Sequence, residues 1–153
     1  MPRERYLTPT VAEDLRRKMV FLGGARQVGK TTLARSLPGG AEGYLTWDAP
    51  EDRERILRRE LPNSNLWLFD ELHKHRGWRG LLKGLYDKKP RAQRILVTGS
   101  ARLDFYRHGG DSLQGRYHYL RLHPFSVAEL ALATRDDLDT LLRLGPFPEP
   151  FLS

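Results

Sequence analysis

Four short apolar runs recur along the chain: Met19-Val20-Phe21-Leu22, Tyr44-Leu45-Thr46-Trp47, Leu66-Trp67-Leu68-Phe69 and Arg94-Ile95-Leu96-Val97-Thr98. Each is too short for a core helix and carries aromatic or β-branched side chains, so each predicts a buried strand. Tyr117 to Leu122 alternates apolar and polar positions and predicts a fifth. Between the runs the period changes to that of a helix. Lys30 to Ser36 is stopped by Pro38-Gly39-Gly40, Glu51 to Arg59 is acidic at its start and basic at its end, and Trp78 to Lys88 spaces Leu81, Leu82, Leu85 and Tyr86 along one face. A further helix is predicted near Ala101 to Arg107. Capping boxes at Thr10-Val11-Ala12-Glu13 and Ser126-Val127-Ala128-Glu129 predict helices that begin there, the first running from about Val11 to Arg17. Strands alternating with helices over short connections predict an α/β fold with a mostly parallel sheet covered on both faces.

Composition narrows the setting. The 153 residues contain no cysteine, which excludes a disulfide framework or a thiolate zinc site and points to a reducing, cytoplasmic environment. No run approaches the roughly 18 apolar residues of a membrane span, and Met1-Pro2-Arg3-Glu4-Arg5 leads into no apolar leader, so a soluble protein with no membrane partner is expected. The net charge of +7 is local: Lys74 to His123 holds 12 basic and three acidic residues, while the rest of the chain is slightly acidic. Such a stretch suits nucleic acid or another polyanion, and equally a set of solvated helix faces.

The most specific chemistry lies after the first strand. Gly24-Ala25-Arg26-Gln27-Val28-Gly29-Lys30-Thr31 fits G-x-x-x-x-G-K-[ST] at every fixed position, with a strand entering and a helix leaving. The glycines let successive N–H groups converge on phosphate oxygens, Lys30 reaches the β- and γ-phosphates, and the Thr31 hydroxyl takes a position on Mg²⁺. Hydrolysis needs a second acidic element, and Leu66-Trp67-Leu68-Phe69-Asp70-Glu71 supplies it. Asp70 ends the strand where open α/β sheets bind ligands and is placed to hold Mg²⁺, while Glu71 is the candidate general base that orients water. Strand four ends Val97-Thr98-Gly99-Ser100, so Thr98 or Ser100 is a candidate γ-phosphate sensor. Arg116, just before strand five, is a candidate arginine finger acting in its own or a neighbouring subunit.

These residues, together with Thr32-Leu33, Leu72-His73-Lys74, Ala101-Arg102-Leu103-Asp104, Leu122-His123-Pro124-Phe125-Ser126 and Glu129-Leu130, resemble the prokaryotic AAA+ superfamily ATPases in which a P-loop core precedes a C-terminal domain of unknown function. The resemblance implies a three-layer αβα sandwich with sheet order 5-1-4-3-2, ATP and Mg²⁺ as ligands, Gly24 to Thr32 as the Walker A loop and Asp70-Glu71 as the Walker B pair. It also implies a strand-four sensor, a functional Arg116 and a homo-oligomer as partner state. Residues 1–18 are then a helical lead-in, 19–134 the ATPase core, and 135–153 the start of a helical connection to a C-terminal domain missing from this chain. The function expected is Mg-dependent ATP hydrolysis driving a conformational switch. The alternative is a nucleotide-gated nucleic-acid or protein-interaction module with little turnover of its own.

Overall fold

The computed structural model describes residues 7–24, 29–99, 113 and 115–122. Its elements in chain order are α1 (Thr8–Asp14), β1 (Met19–Gly23), α2 (Lys30–Ser36), β2 (Tyr44–Thr46), α3 (Pro50–Arg58), β3 (Leu66–Asp70), a single 3-10 turn (Leu72–Lys74), α4 (Trp78–Lys88), β4 (Arg94–Thr98) and β5 (Tyr117–Arg121). The strands form one sheet in the order β2-β3-β4-β1-β5, and every pairing is parallel. This is the order expected, 5-1-4-3-2 read from the other side.

Side chains on a strand alternate between faces, so a parallel sheet with helices on both sides must carry two cores. The register produces them. Met19, Phe21, Phe69, Ile95 and Val97 pack with Ile56 of α3 and with Trp78, Leu81 and Leu82 of α4. Val20, Leu22, Leu66, Leu68 and Leu96 pack on the other face with Val11 and Leu15 at α1 and with Leu33 and Ala34 of α2. All five residues of β1 are buried, as befits a strand flanked by β4 and β5 with helices above and below. Phe21 stacks on Tyr117 at 4.6 Å between ring centres and meets Trp78 edge-on at 6.3 Å, tying β1 to β5 and α4.

The first helix corrects the capping-box expectation. It begins at Thr8 with Leu7 at its cap and no side-chain cap bond, because Pro9 occupies the first turn, where its fixed φ favours helix and its missing N–H costs nothing. Thr10 therefore lies inside the helix, which ends at Asp14 and not near Arg17. The second strand stops at Thr46, one residue short of Trp47, and the fifth at Arg121. The helices expected near Ala101 to Arg107 and from Ser126, and residues 135–153, lie outside the described residues. Among the described residues no helix is long and apolar enough to cross a membrane.

The connection from α2 to β2 sits hard against β3. Gly43 accepts a hydrogen bond from the Leu68 N–H at 2.9 Å, and a Cβ at Gly43 would lie 1.7 Å from the Leu66 carbonyl oxygen. Gly84, by contrast, is an exposed position inside α4 with nothing within 4 Å of its would-be Cβ. Gly43→Ala should therefore destabilise the fold by about 3 kcal/mol through backbone displacement. Gly84→Ala should stabilise it by about 0.5–1 kcal/mol through helix propensity. Urea denaturation midpoints check both signs.

Candidate functional site

The loop after β1 is bounded by two glycines that no other residue replaces without strain: Gly24 at φ 143° and Gly29 at φ 98°. Gly29 caps α2, and Lys30 opens it. The Lys30 side chain is 8% exposed, and its Nζ donates a 2.8 Å hydrogen bond to the Gly24 carbonyl, so the amine spans the loop from end to end. Ala25, Arg26, Gln27 and Val28 lie outside the described residues.

Two strands away, β3 delivers Asp70. Parallel register sets it beside Thr46 of β2 and Thr98 of β4. Thr98, fully buried, donates its hydroxyl to Asp70 Oδ1 at 2.8 Å, and Tyr44, two residues before Thr46 on the same strand face, donates to Oδ2 at 2.9 Å. The Tyr44 hydroxyl is pushed up to about 12 by burial first, then by the Asp70 charge and the hydrogen bond to it. It therefore remains a proton donor throughout the neutral range. The Arg35 guanidinium of α2 sits over the Tyr44 ring at 5.1 Å.

Glu71 leaves the strand in the left-handed region, φ 59° and ψ 26°, a conformation that costs a non-glycine residue about 1–2 kcal/mol. Its N–H is tied to the Thr98 carbonyl at 2.8 Å, which fixes the turn. The side chain is held among charges: Glu71 Oε2 lies 3.4 Å from His73 Nε2 and 3.8 Å from Lys74 Nζ, and Lys74 reaches on to Asp48 Oδ1 at 2.7 Å. Burial and the neighbouring Asp70 raise the Glu71 carboxyl above its ordinary value, against the pull of Lys74. Gly29, Lys30, Thr31, Thr32, Asp48, Asp70 and Glu71 line one cavity of about 370 Å³.

The cavity thus brings together Gly29, Lys30, Thr31, Thr32, Asp70 and Glu71, with Thr98 bonded to Asp70 from the neighbouring strand. Ser100 lies outside the described residues. Arg116 is elsewhere. Its carbonyl accepts the N–H of Met19, the first residue of β1, and its Nε lies 2.9 Å from Asp87 Oδ1 near the end of α4. That is the amino edge of the sheet, opposite the loop that follows β1. Sequence reasoning missed Tyr44, Asp48 and Lys74. Tyr44 was hidden because its strand position read as core, and Asp48 and Lys74 because the two partners lie 26 positions apart in the sequence.

The donor set answers which ion fits. Thr31, Asp70 and Glu71 offer only oxygen, and among the described residues no group of three or more His, Cys, Asp or Glu gathers to hold a metal. A hard divalent cation that keeps several waters and takes one or two carboxylates beside phosphates, as Mg²⁺ does, matches this set.

A loop of this form beside a strand ending in Asp-Glu, on a parallel sheet of this order, defines a P-loop nucleotide-binding core. The chain belongs to the AAA domain family, which its residues 16–131 match. Over 128 residues it is 33% identical to an uncharacterised protein of Mycobacterium tuberculosis and equally to one of Mycobacterium bovis; the match takes in 80% of this chain and 29% of each relative. The chain therefore spans less than a third of the length of these curated relatives. Among solved structures, a DNA polymerase III gamma subunit-related protein of Thermotoga maritima superposes with a TM-score of 0.46 at 8% identity, over 91% of this chain and 49% of that one. A Pif1 helicase, from a structure of two such helicases at forked double-stranded DNA, superposes with a TM-score of 0.44 at 14% identity, over 90% and 50%.

Removing the Thr98 hydroxyl deprives Asp70 of a donor in a buried setting. Thr98→Val should lower stability by about 1–3 kcal/mol, whereas Thr98→Ser, which keeps the hydrogen bond, should cost about 1 kcal/mol or less. Denaturant titration of the two variants distinguishes a bonded hydroxyl from one that merely fills space.

Proposed function

We propose that the protein binds ATP with Mg²⁺ and hydrolyses it, and that the turnover drives a conformational switch. The observation that carries this reading is the cavity in which Lys30, Thr31, Asp70 and Glu71 meet, with the Glu71 backbone held in a strained turn by Thr98. Lys30, released from the Gly24 carbonyl, would take phosphate oxygens in its place. Thr31 and Asp70 would hold Mg²⁺, whose charge offsets that building on the phosphoryl oxygens. Tyr44 and Thr98 orient the Asp70 carboxylate by fixing one oxygen each.

Glu71 accepts a proton from water, and the water oxygen attacks the γ-phosphorus as the bond to the β,γ-bridging oxygen breaks, giving ADP and phosphate. The raised Glu71 carboxyl is the more basic acceptor for that proton. Thr98, bonded to Asp70, or Ser100, two residues later in the sequence, is our candidate to relay the state of the γ-phosphate. Arg116, on the opposite edge of the sheet, suits action on the nucleotide of a neighbouring copy and not on its own. Residues 19–134 are on this reading the ATPase core, with 135–153 leading toward a domain that reads out its state.

Glu71→Gln should retain nucleotide binding and lower turnover by about 10²- to 10⁴-fold, while Lys30→Ala should lose binding itself. Fluorescent-nucleotide titration and phosphate release measure the two separately. Wild-type turnover in Glu71→Gln would remove Glu71 from its role. If Arg116 acts between copies, specific activity should rise with protein concentration and Arg116→Ala should abolish that rise. A concentration-independent rate sensitive to Arg116→Ala would reject the intermolecular assignment.

A further inference from the structure

The basic excess legible in the sequence is redistributed by the fold. Val20 pairs with Leu96 and Met19 with Tyr117, so stepping back along the strands sets Lys18 beside both Arg94 and Arg116. In three adjacent strands a basic residue thus opens or immediately precedes the strand, Arg94 at the start of β4, Lys18 before β1 and Arg116 before β5, in a single row. At about 4.8 Å between strands the row spans roughly 10 Å. Arg16 in the turn before β1, Lys88 at the end of α4 and Arg91 after it flank it; Tyr86 of α4 bonds the Arg17 carbonyl at 3.5 Å, which joins the two flanks.

Like charges side by side on a sheet edge are unfavourable unless answered. Acidic groups at this edge are already engaged: Asp87 with Arg116 at 2.9 Å, Asp14 with His118 at 3.2 Å, and Glu13 with Arg17 at 3.8 Å. Arg16, Lys18, Lys88, Arg91 and Arg94 have no ion pair among the described residues, and Arg16, Lys88 and Arg91 are exposed. The opposite edge of the sheet carries Asp48, Glu51, Asp52, Asp70 and Glu71. Lys30, Arg53, Lys74 and Arg121 share that edge and largely balance its acids, so the cations left without an ion pair gather at the amino edge, where they favour a polyanion.

We propose that this amino edge binds the phosphate backbone of a nucleic-acid duplex. The row is rigid, because each member is anchored at a strand start, and it presents several cations over a distance that covers several duplex charges, spaced about 1.7 Å apart along the axis. A single-strand groove would need exposed rings on which bases stack. The aromatic side chains at this edge are otherwise occupied, Tyr86 by Lys89 at 5.2 Å and Tyr117 by Phe21. A lipid surface would call for apolar side chains to insert beside the charges. The one exposed large hydrophobic residue described is Leu57, on α3. The contact uses backbone charge alone and so carries no base specificity.

The test needs no nucleotide and stands apart from the ATPase reading. Binding of a fluorescein-labelled 20-base-pair DNA duplex of arbitrary sequence is followed by anisotropy from low to moderate salt, using the 153-residue chain. With five phosphates neutralised, log affinity should fall with log salt at a slope of about −4.5. Lys18→Glu and Arg94→Glu should each weaken binding roughly tenfold, and Lys18→Gln should reduce the slope by about 1. Lys83→Glu, an equal charge change on the exposed middle of α4, should leave affinity within about twofold, with thermal unfolding confirming that all variants fold. No binding at low salt, a slope near zero, or equal losses from Lys83→Glu would overturn the proposal. So would tighter binding to phosphatidylserine vesicles with the same residue dependence, or a Lys18→Glu change in oligomeric state without loss of duplex affinity.

Discussion

The carboxylate of Asp70 is held from both sides at once. One oxygen takes the Thr98 hydroxyl from β4 and the other takes Tyr44 from β2, so a single side chain ties the carboxyl ends of β3 and β4 to the first residue of β2. The arrangement works only in one register. A slip of one residue in either pairing would turn Tyr44 or Thr98 to the other face, and Asp70 would keep neither partner. The two apolar clusters enforce that register from below, since the same slip would exchange residues such as Phe69 and Leu68 between helices of different shape. Core packing and the geometry of the acidic strand end are therefore one constraint read at two heights of the sheet.

Much of this was legible in the sequence, and for identifiable reasons. Short apolar runs flanked by glycine and acidic residues marked β1, β3 and β4 because a strand covered on both faces needs little else. The backbone turns at Gly24 and Gly29 were legible because the motif asks for glycine at both positions, and both have positive φ. The alternation of strands and helices gave the parallel class, but the strand order came only from the family resemblance, since pairing leaves no local trace. Pro9 shows where a local rule failed: two start signals lay side by side, and the proline of the first turn outweighed the capping box one residue later. Tyr44 failed differently. Its hydroxyl matters through Asp70, 26 positions away, and no pattern within β2 reports that.

The same limit applies to charge. A linear window located the basic residues but mixed three places: the turn around Lys74 near the cavity, the middle of α4, and the amino edge of the sheet. It also left out Lys18, which the register makes a neighbour of Arg94 despite the distance between them in sequence. Folding sorts the charges by the end of the sheet at which they lie. Around the cavity the carboxylates Asp48, Asp70 and Glu71 meet Lys30 and Lys74, whereas where the strands begin the cations outnumber the acids that answer them.

The hydrogen bond between Lys30 and the Gly24 carbonyl has a consequence for how the loop meets an anion. The lysine already has a partner of its own, so an arriving phosphate exchanges one acceptor for another, and the gain is the difference between a neutral carbonyl and a charged oxygen. Such an exchange discriminates: a weakly charged ligand has little to offer over the carbonyl, whereas a polyphosphate does. In the meantime the ammonium acts as a bolt across the loop, holding its two glycines at a spacing that would otherwise have to be found from a freely moving chain.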